Sequence, residues 1–86
     1  MVLKFFTKPG CPNCPQAKKL VEELKSKNQE LRVEEFDVST TDGLAEASFY
    51  SVMSTPTLIL CDNKGKEIRS WRGEVPPVVA VLDKLK

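Results

Sequence analysis

Short apolar segments alternate with a helical pattern at the start of this chain, and this alternation constrains its fold more than any other feature. Val2 to Thr7 is apolar and aromatic, as in a buried strand, and the turn-forming sequence Lys8-Pro9-Gly10 ends it. The next segment has apolar residues at the i, i+3, i+4 and i+7 spacing of a helix. These residues are Ala17, Leu20, Val21 and Leu24. A helix that connects two strands predicts that the strands pair in parallel.

Three further segments extend this pattern. Leu31 to Val38 is predicted to be the second strand. A short helix is predicted to start from an N-cap within Thr40 to Asp42 and to run to about Tyr50. Thr57 to Cys61 is apolar enough to be a central strand of the sheet.

A hairpin and a last helix complete the predicted architecture. Asp62 to Gly65 has the composition of a hairpin turn and leads into a strand over Glu67 to Arg72. Pro76-Pro77 opens the last helix, which has an apolar stripe of Val78, Val81, Leu82 and Leu85. The predicted fold class is α/β, with a four-stranded mixed sheet and three helices in the order β-α-β-α-β-β-α. We expect a single domain over residues 1–86.

The composition excludes several classes of protein. The 13 basic and 12 acidic residues give a net charge of +1 and are spread along the chain, so no nucleic-acid partner is expected. No apolar run reaches the roughly 18 residues of a membrane span, and Met1 to Lys4 leads into the first strand without the pattern of a signal peptide. We therefore expect a cytoplasmic protein with no membrane partner. The absence of histidine excludes Cys–His and Ser–His catalysis and every metal site that contains histidine.

The chain has three cysteines, Cys11, Cys14 and Cys61. An odd number without a secretion signal argues against a structural disulfide framework. Three thiols without histidine cannot provide the four protein ligands of a zinc site, so no metal is expected. Cys61 ends an apolar strand and is interpreted as a small core residue, with a regulatory thiol as the alternative.

Cys11 and Cys14 lie where a predicted strand ends and a predicted helix begins. The unpaired N–H groups of a first helical turn stabilise a thiolate, and can lower the pKa of a thiol from about 8.5 to about 3.5–7.5. Cys11 is then expected to be the exposed attacking thiolate, and Cys14, one turn further, the shielded resolving thiol. Pro12 and Pro15 are expected within that first turn, where their missing N–H groups cost little. The spacing alone would also fit a chance pair or half of a metal site.

Three segments resemble the thioredoxin/glutaredoxin superfamily. They are TKPGCPNC after the first strand, VMSTPTLIL before the hairpin and WRG after it. The resemblance covers essentially the whole chain and is closest to the compact, glutaredoxin-like thioredoxins. It implies a thioredoxin fold whose redox-active group is the Cys11–Cys14 disulfide, with no further cofactor.

The resemblance implies roles for individual residues. Cys11 matches the nucleophile of the family, and Cys14 matches its resolving thiol. Pro56, taken alone, could be an ordinary strand-start proline or a cis proline. The resemblance favours the cis form, with the backbone of Thr55 pairing with an extended stretch of a partner protein. Gly73 matches a glycine that lets a partner backbone approach the site.

The chain departs from the family around the thiols. Pro12 and Asn13 stand between the cysteines instead of Gly-Pro, and are expected to contact the substrate and to tune the reduction potential. Phe5 stands where thioredoxins have a buried acid, and Glu35 stands where they have the lysine that accompanies this acid. Glu35 is interpreted as a strand-end glutamate in water, and a partly buried proton acceptor for Cys14 is the alternative.

The predicted function is the reduction of protein disulfides by a monomer, with electrons from a flavoprotein of the thioredoxin reductase type or another donor. One alternative is a glutathione-dependent glutaredoxin. Lys8 resembles the lysine that meets a glutathione carboxylate in that family, although it could equally be a solvated lysine. Asn13 replaces the usual glutaredoxin tyrosine, and Trp71-Arg72-Gly73-Glu74 lacks the Gly-Gly-acid element. A second alternative is an iron–sulfur cluster carrier in which two chains share a cluster through Cys11, and Cys14 counts against it.

Overall fold

A computed structural model describes residues 1–85 and contains the predicted strands and helices in the predicted order. The elements are β1 (Val2–Thr7), α1 (Cys14–Lys27), β2 (Arg32–Asp37), α2 (Thr41–Phe49), β3 (Thr57–Cys61), β4 (Glu67–Arg72) and α3 (Val78–Lys84). The strand order in the sheet is β2-β1-β3-β4, with β1 and β2 parallel and the other two pairs antiparallel. The predicted α/β fold class is therefore confirmed.

The start of α1 differs from the prediction. The helix begins at Cys14, after the N-cap Asn13, so Pro15 lies in its first turn but Pro12 does not. The N–H of Cys11 donates to the carbonyl of Lys8 at 3.3 Å, which is a turn contact. The first helical hydrogen bond runs from the N–H of Ala17 to the carbonyl of Asn13 at 3.2 Å. Cys11 therefore precedes the helix, in a turn that also holds Pro12.

The sheet separates two apolar cores. The larger core lies under α1 and α3, and the smaller lies under α2. Strand β2 and the residues next to it contribute to both, because Leu31 and Val33 face the larger core while Phe36 and Val38 face the smaller one. Every residue of β3 is buried, as expected for a central strand. None of the helices within residues 1–85 is long and apolar enough to cross a membrane.

A part-buried ion pair joins α2 to the sheet. The ammonium of Lys4 donates to the carboxylate of Glu46 at 2.7 Å and to that of Glu34 at 3.1 Å. Burial lowers the pKa of Lys4, but the hydrogen bonds and negative charges of Glu46 and Glu34 outweigh it and raise the pKa above its usual value. The contact links β1, β2 and α2, and thereby holds the helix that precedes the loop to β3.

Replacing Thr40 by alanine should lower the free energy of unfolding by about 1 kcal/mol. Thr40 is the N-cap of α2, and its hydroxyl oxygen accepts the N–H of Gly43 at 3.0 Å. The exposed Thr41 makes no side-chain hydrogen bond within residues 1–85, so Thr41→Ala is the matched control. Urea denaturation of both variants measures the difference. An equal loss in the two variants would contradict the assignment of the cap.

Candidate active site

Cys11 and Cys14 form a disulfide bond at the junction of β1 and α1, with their Cα atoms 5.4 Å apart. Cys14 is the first residue of the helix, and Cys11 lies in the preceding turn. Each residue is 7% exposed, so the predicted contrast between an exposed Cys11 and a shielded Cys14 is absent in this oxidised form. The bond holds the two sulfur atoms against each other, and each covers part of the other.

Thr55-Pro56 lies at the same edge of the sheet as the cysteines. Thr57, the first residue of β3, pairs with Phe6 near the end of β1, so the loop before β3 lies beside the turn after β1. The Thr55-Pro56 peptide bond is cis, as predicted. Pro56 is buried, and its carbonyl accepts the N–H of Gly73 at 2.9 Å. The backbone N–H and C=O of Thr55 make no hydrogen bond within residues 1–85.

Lys8 connects the two parts of the site. It lines a cavity of about 320 Å³ beside the disulfide and a smaller one of about 140 Å³ that also contains Thr55. Lys8, Pro12 and Asn13 are exposed, so all three can contact a docked polypeptide. The structure therefore brings the residues predicted from the sequence together in one region.

Gly73 adopts a backbone conformation that favours glycine, with φ of +72°. A Cβ atom on this residue would lie 3.0 Å from the hydroxyl oxygen of Ser54, immediately before Thr55. The backbone conformation favours glycine, and a larger residue would require the Ser54 side chain to shift.

Replacing Gly73 by alanine should lower the free energy of unfolding by about 1–2 kcal/mol and raise the KM for a disulfide-containing peptide. Gly65 provides the control, because its φ is +84° but an added Cβ would make only an ordinary 3.8 Å contact with Tyr50. Gly65→Ala should lose similar stability and keep its KM. An unchanged KM in Gly73→Ala would show that the contact with Ser54 does not shape the site.

The cavity beside the disulfide has an apolar floor and a charged rim. Phe5 lies at the floor and is 1% exposed, and Cys14 lies in the wall. The charged residues of the rim are Lys8, Lys18 and Glu35. Glu35 is exposed, as interpreted from the sequence, and the alternative of a partly buried carboxylate is wrong. The reason is that β2 is an edge strand, and Glu35 lies near its carboxyl end.

Lys18 was not predicted as a site residue. It lies four residues after Cys14 in α1, so the two side chains share one face of the helix. The spacing was visible in the sequence, but several lysines occur in this helix. Only the fold shows that Lys18 borders the cavity.

Cys61 lies in the smaller core, on the other side of the sheet from α1, and is fully buried. Burial raises the pKa of its thiol, although a contact of 3.8 Å with the hydroxyl of Tyr50 acts in the opposite direction. The prediction of a small core residue is confirmed. In the described part of the chain, no three side chains of Cys, Asp or Glu are grouped as metal ligands.

A four-stranded mixed sheet with a cysteine pair at the start of the first helix and a cis proline before the third strand defines a class of thiol–disulfide oxidoreductases. The chain matches the family model described as a thioredoxin-like domain over residues 1–86. It therefore belongs to the thioredoxin-like family and is a disulfide oxidoreductase.

Individual relatives agree with this assignment. The chain is 34% identical over 62 residues to a probable thioredoxin of Archaeoglobus fulgidus, an overlap of 72% of this chain and 67% of that protein. It is 31% identical over 58 residues to a thioredoxin of Methanocaldococcus jannaschii, with 67% of each chain covered. Thioredoxin 1 of Thermosipho africanus superposes with a TM-score of 0.80 at 20% identity, covering 99% of this chain and 90% of the other. At 20% identity, the similarity to the Thermosipho africanus protein shows the fold alone.

Proposed function

We propose that this chain reduces the disulfide bonds of other proteins, with Cys11 as the attacking thiolate and Cys14 as the resolving thiol. The observation that carries the proposal is the Cys11–Cys14 disulfide at the start of α1, beside the cis Thr55-Pro56 peptide. The first N–H groups of α1 have no partners within the helix and stabilise negative charge on the sulfur atoms. Cys14 is the first residue of α1, whereas Cys11 lies in the turn before the helix.

The reaction consists of two exchanges. The Cys11 thiolate attacks one sulfur of the substrate disulfide, the substrate S–S bond breaks, and a mixed disulfide forms while the first substrate thiolate leaves. The Cys14 thiolate then attacks the sulfur of Cys11, and the second substrate thiolate leaves. Two electrons pass to the substrate, and the Cys11–Cys14 disulfide is the oxidised product.

The substrate is proposed to bind as an extended segment along Thr55. The free N–H and C=O of Thr55 can pair with a backbone as one added strand position. Pro12 and Asn13 are exposed beside the cysteines, and Gly73 lacks a Cβ that would lie 3.0 Å from the hydroxyl oxygen of Ser54. Met53, which is 93% exposed next to this loop, offers an apolar contact to the docked chain.

The proposed electron donor is a flavoprotein of the thioredoxin reductase type. The relatives in Archaeoglobus fulgidus and Methanocaldococcus jannaschii, described as thioredoxins, support this choice. Turnover of a peptide with a single disulfide, followed through NADPH oxidation, should occur with such a reductase and should be at background with glutathione and glutathione reductase. Turnover with glutathione alone would contradict the proposed donor.

A further inference from the structure

Within residues 1–85, no acidic residue is buried beside Cys14. In the position beneath the thiols lies Phe5, whose ring cannot accept a proton. Three charged side chains border the cavity that reaches Cys14: Lys18 from α1, Lys8 from the turn after β1, and Glu35 from β2. None of the three side chains makes an ion pair or a hydrogen bond within residues 1–85. Their charges therefore act on the cavity without being neutralised by a partner.

Lys18 is the best placed of the three. It follows Cys14 by four residues in α1, and helical side chains lean toward the N-terminus over the preceding turn. Lys18 and Cys14 therefore lie on the same face of α1, and both residues line the cavity. Lys19, the next residue, is equally exposed but does not border the cavity.

We infer that Lys18 stabilises the thiolate of Cys14 electrostatically and is a positioning residue for the second exchange of the reaction. The inference rests on the proposed role of Cys14 as the resolving thiol. The proton of Cys14 passes to water in the open cavity, and the thiolate left behind attacks Cys11 in the mixed disulfide. Glu35 has the opposite charge on the same cavity and works against the thiolate.

The test isolates Cys14 in a Cys11→Ala variant and measures its rate of alkylation by iodoacetamide as a function of pH, with mass spectrometry to locate the adduct. Lys18→Gln should raise the pKa of Cys14 by roughly half a unit to one unit and slow alkylation near neutral pH by about three- to tenfold. Lys18→Arg should retain the wild-type profile because it retains the charge. Lys19→Gln is the matched control and should leave the profile unchanged.

Two further results decide the inference. Glu35→Gln should speed the alkylation of Cys14. Added salt should reduce the difference in alkylation rate between Lys18→Gln and the Cys11→Ala protein without it, because salt screens exposed charges. The inference is overturned if the pH profile of Cys14 alkylation is the same in Lys18→Gln as in Lys19→Gln. Slower alkylation in Glu35→Gln would instead support a proton acceptor at that residue and would also overturn it.

A second measurement uses the intact cysteine pair. A mixed disulfide between Cys11 and thionitrobenzoate releases the coloured thiol when Cys14 attacks, and stopped-flow absorbance records the rate. Lys18→Gln should slow this release by a similar factor at neutral pH and not at a pH well above the thiol pKa. Equal slowing at every pH would indicate a structural effect and contradict the inference. Because alkylation of Cys14 requires no protein substrate, its outcome is independent of whether the proposed reductase activity is found.

Discussion

Replacing Cys11 by serine should reduce disulfide turnover by about a thousandfold or more, to the background rate. A serine hydroxyl is almost entirely protonated at neutral pH, whereas the unpaired N–H groups at the start of a helix stabilise a thiolate. Reduction of a single-disulfide peptide in the presence of a reductase and NADPH measures the effect.

Replacing Cys14 by serine should give a different defect. The first exchange can proceed through Cys11, but the mixed disulfide between Cys11 and the substrate cannot be resolved and should accumulate. Mass spectrometry in the absence of reductant detects this species. Cys61→Ala is the control, because Cys61 lies in the smaller core and should not affect turnover. Substantial turnover in Cys11→Ser, or a mixed disulfide that accumulates in Cys11→Ser and not in Cys14→Ser, would contradict the assigned roles.

Replacing Phe5 by alanine should lower the free energy of unfolding by about 3–5 kcal/mol. Phe5 is 1% exposed and packs in the larger core beneath α1, so truncation removes buried apolar surface and leaves a cavity. For a domain whose total stability is roughly 5–15 kcal/mol, this is a large fraction. Urea denaturation monitored by circular dichroism measures the loss.

The same substitution at a surface position provides the control. Phe49 ends α2 and is 77% exposed, so Phe49→Ala should change the free energy of unfolding by less than about 0.5 kcal/mol. A loss of similar size at the two positions would show that burial beneath the thiols is not what makes Phe5 important.

Much of this protein could be predicted from local sequence patterns. The apolar run that forms β3 and the helical spacing from Ala17 to Leu24 specify their elements directly, because each pattern repeats with the period of its structure. The proline and glycine turns mark the ends of the elements. The cysteine pair could be assigned to redox chemistry because it falls at a boundary between a strand and a helix.

Other features depend on residues that are distant in the sequence. Pro56 has two plausible conformations when considered alone, and its cis bond belongs to a loop that contacts Gly73 across the sheet edge. Glu35 follows Val33 by two residues on one face of β2, and the strand order leaves its carboxylate exposed because β2 is at the edge of the sheet. Whether a strand residue is buried therefore depends on the position of its strand in the assembled sheet.

The sequence by itself determined the order of the elements, the fold class and the pair of thiols, because these follow from local periodicity and from the spacing of Cys11 and Cys14. Only the tertiary structure decided which charges act on that pair. Lys18 and Lys19 are adjacent exposed lysines, and Lys18 borders the cavity whereas Lys19 does not. The physical reason is that electrostatic effects depend on distance and orientation in space, which are set when α1 packs against the sheet.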